Sequence, residues 1–386
     1  MTPWVYLIGA LLAGVLLVAV ARGGSRRGRP PGPADGGPPE GGVGGPAHAP
    51  HDEARLRAAT ASAQATPAAW PGGSGGVLPR ALGAATLSLW RRAFGVTDAA
   101  LAVPEGHEFA AEAIERALAG DALSERFFPR RPMLMPQLQA AANDPESPPT
   151  RLADIVAQDP VLTGDVLRLA NSVFYRLSAE PVESLQRAVI VCGTDGLHSL
   201  AATALVQPVF RSGSHGHPRF AQLLWERCTR AAAAAEACAR HWCPHDRQTA
   251  QLLPLLAALG PLVAYRIGEE AYRKASARPS AEALLALVLR HGPRIAARVA
   301  AQWQMPSRLV QALSGEQPAD AEQAAALATL LRAWQAGELL ATLTILADEQ
   351  VLDEEDYRRQ AAHAGIPEPL QLAIWERAEA SRTASV

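Results

Sequence analysis

Residues 158–175 read Gln158-Asp159-Pro160-Val161-Leu162-Thr163-Gly164-Asp165-Val166-Leu167-Arg168-Leu169-Ala170-Asn171-Ser172-Val173-Phe174-Tyr175, the pattern of a capped amphipathic helix. Asp159 can accept hydrogen bonds from the first free backbone N–H groups, and Pro160 at the first helical position gives up a donor that would be orphaned anyway. Leu162, Val166, Leu169 and Val173 recur at helical spacing and share one face, while Asp165 and Arg168 point elsewhere. That apolar face must be buried against other helices. At the far end Asn171 and Ser172 are expected to hydrogen-bond backbone groups, with Phe174 and Tyr175 packing as anchors.

The same periodicity recurs on both sides. Upstream it runs from Leu82 to Phe94 and from Phe109 to Leu118, with Glu112, Glu115 and Arg116 as solvent-facing candidates. These segments form a helical preface over residues 80–125. Downstream, Asp320 is expected to cap a helix reaching Gln335 or Ala336, with Gly337 at its end. Asp353 starts another, stopped at Gly365, and Pro367 and Pro369 introduce a last helix through Leu370, Ile374 and Trp375. Residues 319–386 are thus a C-terminal helical extension. Few stretches alternate with a period of two, so the expected fold class is all-α.

The N-terminal residues differ in kind. Trp4 to Ala21 form an uncharged apolar run, roughly 27 Å long as a helix, which can just span a bilayer. Arg22, Arg26, Arg27 and Arg29 follow it, and this positive charge places the C-terminal side in the cytoplasm. An uncleaved anchor is favoured over a cleaved signal because neither Lys nor Arg precedes the run. Cleavage would instead make the remainder secreted or periplasmic. Gly9, Ala10, Ala13 and Gly14 have the small-residue spacing that lets two anchors approach, which allows a homodimer. Residues 22–79, rich in Gly, Pro and Ala, are expected to be a disordered linker whose ends lie on the order of 40 Å apart.

With 386 residues and 48% hydrophobic content the chain can bury a sizeable core. A net charge of -2 argues against a chain-wide footprint for nucleic acid, so none is expected as a partner. Four cysteines, Cys192, Cys228, Cys238 and Cys243, are too few for a disulfide framework and fit a reducing compartment.

The stretch from Gln158 to Tyr175 resembles the HDOD family, non-enzymatic relatives of the HD phosphohydrolases. The family's motif is a Gln-Asp-Pro helix start running into Leu-Arg-Leu-Ala-Asn-Ser and an aromatic pair. The residues that carry the resemblance here are Gln158, Asp159, Pro160, Leu169, Asn171, Ser172, Phe174 and Tyr175. It extends upstream to Pro132-Met133-Leu134-Met135-Pro136 and Asn143-Asp144-Pro145. Downstream it takes in Pro181-Val182-Glu183-Ser184-Leu185, Ala188-Val189-Ile190 and Gly193, a candidate helix stop. Several spaced blocks in the right order are a specific signal. The resemblance implies a two-lobed, multi-helix domain over residues 126–318.

The catalytic ligands of HD phosphohydrolases can be sought position by position. Where the pattern implies a first metal-binding His, the segment Leu224 to Cys228 carries Arg227, a cation that repels metal. Where it implies a His-Asp pair, Leu253 to Gly260 presents Ala257 and Ala258. His291 lies near another implied His, and one imidazole cannot rebuild the site; it reads as a hydrogen-bonding residue at a helix start. Cys238, His241, Cys243 and His245 form a dense ligand cluster and a weaker zinc alternative to a packing-and-loop role. The chain has no P-loop, dinucleotide-binding glycine motif or nucleophile elbow. Asp348, Glu349 and Asp353 to Asp356 read as a solvated helix start.

The resemblance therefore implies a non-enzymatic signalling module that binds a protein partner, without cofactor or metal, and the apolar run with the arginines after it is expected to hold that module on the cytoplasmic side of a bacterial inner membrane. The competing reading is a nucleotide sensor or residual phosphohydrolase using the remodelled pocket around Arg227 and His291, since Arg suits phosphate.

Overall fold

The computed structural model describes residues 76–97, 102–120, 127, 129, 132–142, 144, 148–172, 175, 180–211 and 216–383. The expected anchor (4–21), most of the expected linker, and Val173 and Phe174 lie outside the described residues. Among the described residues there are thirteen α-helices and no strand, as the missing period-two alternation predicts.

The helix that carries the Gln-Asp-Pro motif belongs to a small bundle. Helices α3 (Met135–Ala142), α4 (Pro149–Ala157) and α5 (Pro160–Ala170) pack on α6 (Leu185–Arg211). Their shared core contains Leu138, Leu152, Val156, Leu162, Val166, Leu169 and Leu197. Burying each such leucine or valine contributes roughly 1.5–3 kcal/mol. The cap forms as expected: Asp159 Oδ1 accepts from Val161 N at 2.8 Å and Leu162 N at 3.2 Å. Asp165 does not point away from the interface. It is buried, 2.6 Å from Arg168 Nη2, and Arg168 also donates to Gln207 of α6 at 2.7 Å. One turn of helix brings the counter-ion close enough for a carboxylate to enter the packed face. Gly193 has φ +72° and interrupts α6 where a helix stop is expected, but the chain resumes helical geometry at once.

The larger bundle has a separate core. It is built from α7 (Pro218–Trp242), α8 (Arg247–Lys274), α9 (Ala281–Gln302) and α11 (Ala321–Asp348), with a short helical turn at Pro244–Asp246 between α7 and α8. Around these lie α1 (Val77–Phe94), α2 (Glu108–Ala119), α10 (Ser307–Ser314), α12 (Glu354–His363) and α13 (Glu368–Thr383). Helix α1 begins within the tail of the expected linker; its Pro79 costs nothing in a first turn, where no N–H has a helical partner. Helix α6 belongs to both cores: Leu200 and Ala204 face the small bundle, while Ala202, Val206 and Phe210 face the large one.

The extension departs from expectation along its first helix. Asp320 caps α11 through Gln323 N at 2.8 Å, yet the helix runs through Gly337 and ends at Asp348. Gly337 is a contact point rather than a stop. A Cβ there would lie 2.3 Å from the backbone nitrogen of Ala235, so its absence lets α11 lie directly against α7. Asp353 caps α12 through Asp356 N, and Gly365 with φ +72° follows its end as expected. Ile374 and Trp375 of α13 are buried, and the Trp375 and Tyr357 ring centroids are 4.9 Å apart.

Two described segments, Leu185–Phe210 and Pro244–Lys274, are long and apolar enough to cross a membrane, with mean hydropathies of 1.5 and 1.4. Both contribute to the bundle cores, and their composition follows from that packing.

Candidate functional site

Helix α7 places Arg227 in the larger bundle, and the alanine run from Ala231 to Ala235 lets neighbouring helices approach it. Arg227 is 4% exposed. Its Nη2 lies 2.7 Å from Glu338 Oε2 on α11. Nε donates to Thr342 Oγ1 at 3.1 Å, Nη2 reaches Thr86 Oγ1 of α1 at 3.5 Å, and the guanidinium stands 5.5 Å from the Trp90 ring centroid. Trp334 Nε1 donates to Glu338 Oε1 at 3.2 Å. Burial pushes the Glu338 carboxyl up, and Arg227 and then Trp334 counter it. The arginine charge is thus neutralised inside the protein.

On α8, Ala258 is buried and Ala257 packs against the same core, so neither position offers a ligand atom. One turn along α7, Arg230 pairs with Glu226 and with Asp348 at 2.7 Å, and its Nη1 donates to Thr344 Oγ1 at 3.3 Å. Asp348 also meets Arg382 of α13 at 3.3 Å, while Glu349 pairs with Arg92 and Arg219. Asp348 and Glu349 are therefore not part of a solvated helix start. They tie the end of α11 to α1, α7 and α13. Asp353 to Asp356 do begin a helix, α12.

His291 sits in the middle of α9, buried, and not at a helix start. Its Nδ1 is 3.3 Å from Glu115 Oε1 of α2, and neither ring nitrogen has a well-formed hydrogen bond among the described residues. Burial lowers its proton affinity, so the ring is neutral at neutral pH. Arg227 pairs with Glu338 on α11 and His291 with Glu115 on α2.

The zinc alternative is not assembled. Cys238 is buried on α7, His241 and His245 are exposed, and Cys243 is half-buried. Burial pushes the Cys238 thiol up to about 12 and the Cys243 thiol up to about 11, which keeps both protonated. Among the described residues no three His, Cys, Asp or Glu side chains are placed to hold a metal.

The described motif residues at the end of α5, Asn171, Ser172 and Tyr175, hydrogen-bond backbone groups. Asn171 Nδ2 donates to the carbonyls of Leu167 at 2.9 Å and Val182 at 2.8 Å, and its Oδ1 accepts from Val182 N at 2.7 Å. Ser172 Oγ donates to the Leu169 carbonyl at 2.7 Å, and Tyr175 OH donates to the Thr229 carbonyl of α7 at 2.9 Å. Sequence reading missed a polar cluster at the junction of α6, α7 and α8: His198, Ser199, Glu236 and Gln251, all buried. The signal was available, because His198 and Ser199 interrupt an otherwise apolar run. It also missed two His–Tyr pairs that fasten helix starts to α8. Tyr265 OH lies 3.1 Å from His217 Nδ1 before α7, and Tyr272 OH lies 2.8 Å from His107 Nδ1 before α2.

Residues 128–318 match the HDOD domain family. The chain is an HDOD-domain protein. Solved structures with a similar fold include an HDOD domain protein of unknown function from Geobacter sulfurreducens. It is 18% identical, with 72% of this chain and 92% of that one covered, at a TM-score of 0.46. A protein from Shewanella amazonensis SB2B, provisionally described as a metal-dependent phosphohydrolase, is 17% identical, covering 71% and 98% at 0.48. A protein from Marinobacter aquaeolei VT8, provisionally described as a signal transduction protein, is 19% identical, covering 75% and 68% at 0.46. No curated protein matches the chain. The HDOD match ends before α11, so Glu338, the counter-ion of Arg227, comes from outside it.

Proposed function

We propose that this HDOD-domain protein is a non-enzymatic regulatory module that binds a protein partner and is held at the cytoplasmic face of a bacterial membrane by residues 4–21. The observation that carries the non-catalytic reading is the buried pair of Arg227 and Glu338. A guanidinium already neutralised by a carboxylate cannot join a metal-ligand set, and Ala257 and Ala258 supply no donors. The same pair disfavours the nucleotide-sensor reading, because a phosphate would have to displace Glu338 from a buried site. Tethering rests on the apolar run and the arginines that follow it; it would raise the effective concentration of domain and partner at the membrane.

The purified protein should show no turnover of phosphomonoesters or cyclic dinucleotides with Mg²⁺ or Mn²⁺. Turnover abolished by His291→Ala or Arg227→Ala would overturn the non-enzymatic reading. A nucleotide-dependent thermal shift lost in Arg227→Ala would restore the sensor. Cell fractionation should find the full chain in the membrane pellet and a chain beginning at residue 23 in the soluble fraction. Pull-down from native membranes with the full chain then identifies the partner.

A further inference from the structure

The two apolar cores meet along a polar seam lined by α6, α7 and α8. Ser199 Oγ donates to Glu236 Oε2 at 3.0 Å, and Glu236 Oε1 accepts from Arg240 at 2.6 Å. Gln251 Nε2 donates to the Ser199 carbonyl at 2.9 Å. At the rim, Asp195 pairs with Arg247 at 2.7 Å and accepts from Gln248 at 3.3 Å. Inside lies His198, 2% exposed, with Nδ1 lacking a hydrogen bond and the equally buried Gln251 beside it. Water can replace each polar contact of this seam if it opens, whereas opening either core would expose leucines.

We propose that the seam is an acid-sensitive latch, at which protonation of His198 loosens the turns of α6 around it from α7 and α8, while Val206 and Phe210 further along α6 stay in the larger core. The charged groups around the ring do not hold a proton there. Asp195, on the same helix, and a hydrogen bond to the neutral Gln251 of α8 favour the charged ring, but Asp195 is committed to Arg247 of α8 and Gln251 carries no charge. Glu236 and Arg240 of α7 neutralise each other, as do Asp165 and Arg168 of α5. Helix α4 offers Arg151 and Asp154, both exposed, and α3 has no charged residue. Burial dominates and holds the imidazole neutral down to about 4. Released into water the same ring titrates near 6.5, so the open form binds the proton more readily and acid favours opening. The opening equilibrium is expected to rise about 10-fold between pH 7.5 and pH 5.5. This device is independent of what the HDOD domain binds.

Hydrogen exchange of the full chain at both pH values, corrected for intrinsic rates, tests it. Opening should increase about 10-fold at residues 195–203 and the facing turns of α7 and α8, and stay unchanged in the middle of α11. His198→Gln, which keeps a neutral polar side chain, should fold at pH 7.5 and lose the pH response. An unchanged wild type, or an equal response in the variant, would overturn the latch. If the variant does not fold, the imidazole of wild-type His198, followed by NMR, decides: titration near 6.5 in the closed protein overturns the proposal, and a ring neutral at pH 5.5 supports it.

Discussion

Arg227 and Glu338 are held together where neither can reach water, so removing one leaves the other as an uncompensated buried charge. Glu338→Ala should destabilise the protein by about 3–5 kcal/mol, while the double change Arg227→Met with Glu338→Leu should recover most of that loss, because neither new side chain needs a counter-ion. Urea unfolding measures both; a single-variant loss under about 1 kcal/mol would show the pair to be dispensable. Asn171 acts differently, as a clamp with two hydrogen bonds to Val182 and a third back to the Leu167 carbonyl at the end of α5. Asn171→Ala leaves the Val182 N–H and carbonyl without that partner and should cost about 2–4 kcal/mol in the same experiment. Asn171→Asp keeps the acceptor and should fall between the two. Asn171 was legible in the sequence because its role is local to a helix end. Glu338 was not: its partner lies on another helix far along the chain, and a pair made by tertiary packing leaves no periodic trace.

Helix starts were legible for the same local reason. Asp159, Asp320 and Asp353 each receive backbone N–H groups two or three residues ahead, a geometry that sequence spacing alone specifies. Helix α11 was misjudged at Gly337, since a glycine that ends a helix and one that lets two helices touch look alike in sequence. The clue lay in its surroundings: from Ala333 to Leu346 every residue is buried, the polar Gln335, Glu338 and Thr342 included, as expected of a helix packed on every side. Gly337→Ala should therefore destabilise, by roughly 1–3 kcal/mol, because the new methyl meets the Ala235 backbone, which has nowhere to move. Gly164 on α5 is the control. A Cβ there meets nothing within 4 Å, so Gly164→Ala should stabilise by roughly 0.5–1 kcal/mol through helix propensity. Thermal melts of the two variants should move in opposite directions; a shared direction would discredit the close-packing account of Gly337.

At the scale of the molecule, motif positions located the HDOD domain but concealed how far its core depends on what flanks it. The sequence reading treats residues 80–125 as a preface and 319–386 as an extension, yet α1 and α11 supply Thr86, Trp90, Glu338 and Thr342 to the surroundings of Arg227. Motifs record which residues a family shares, whereas burial depends on whatever covers the remaining faces of a shared helix. Ending the chain at Pro318 would uncover Arg227, Cys228, Ala231 and Ala235 on α7 together, exposing apolar surface and orphaning a cation. A fragment covering 128–318 should accordingly keep helical far-ultraviolet circular dichroism while losing cooperative unfolding and binding a hydrophobic dye, the behaviour of a loosely packed globule. A fragment covering 76–383 should unfold in one sharp transition without dye binding. A sharp transition in the shorter fragment would mean that the HDOD core closes without α11, and that Arg227 then finds another partner or stands in water.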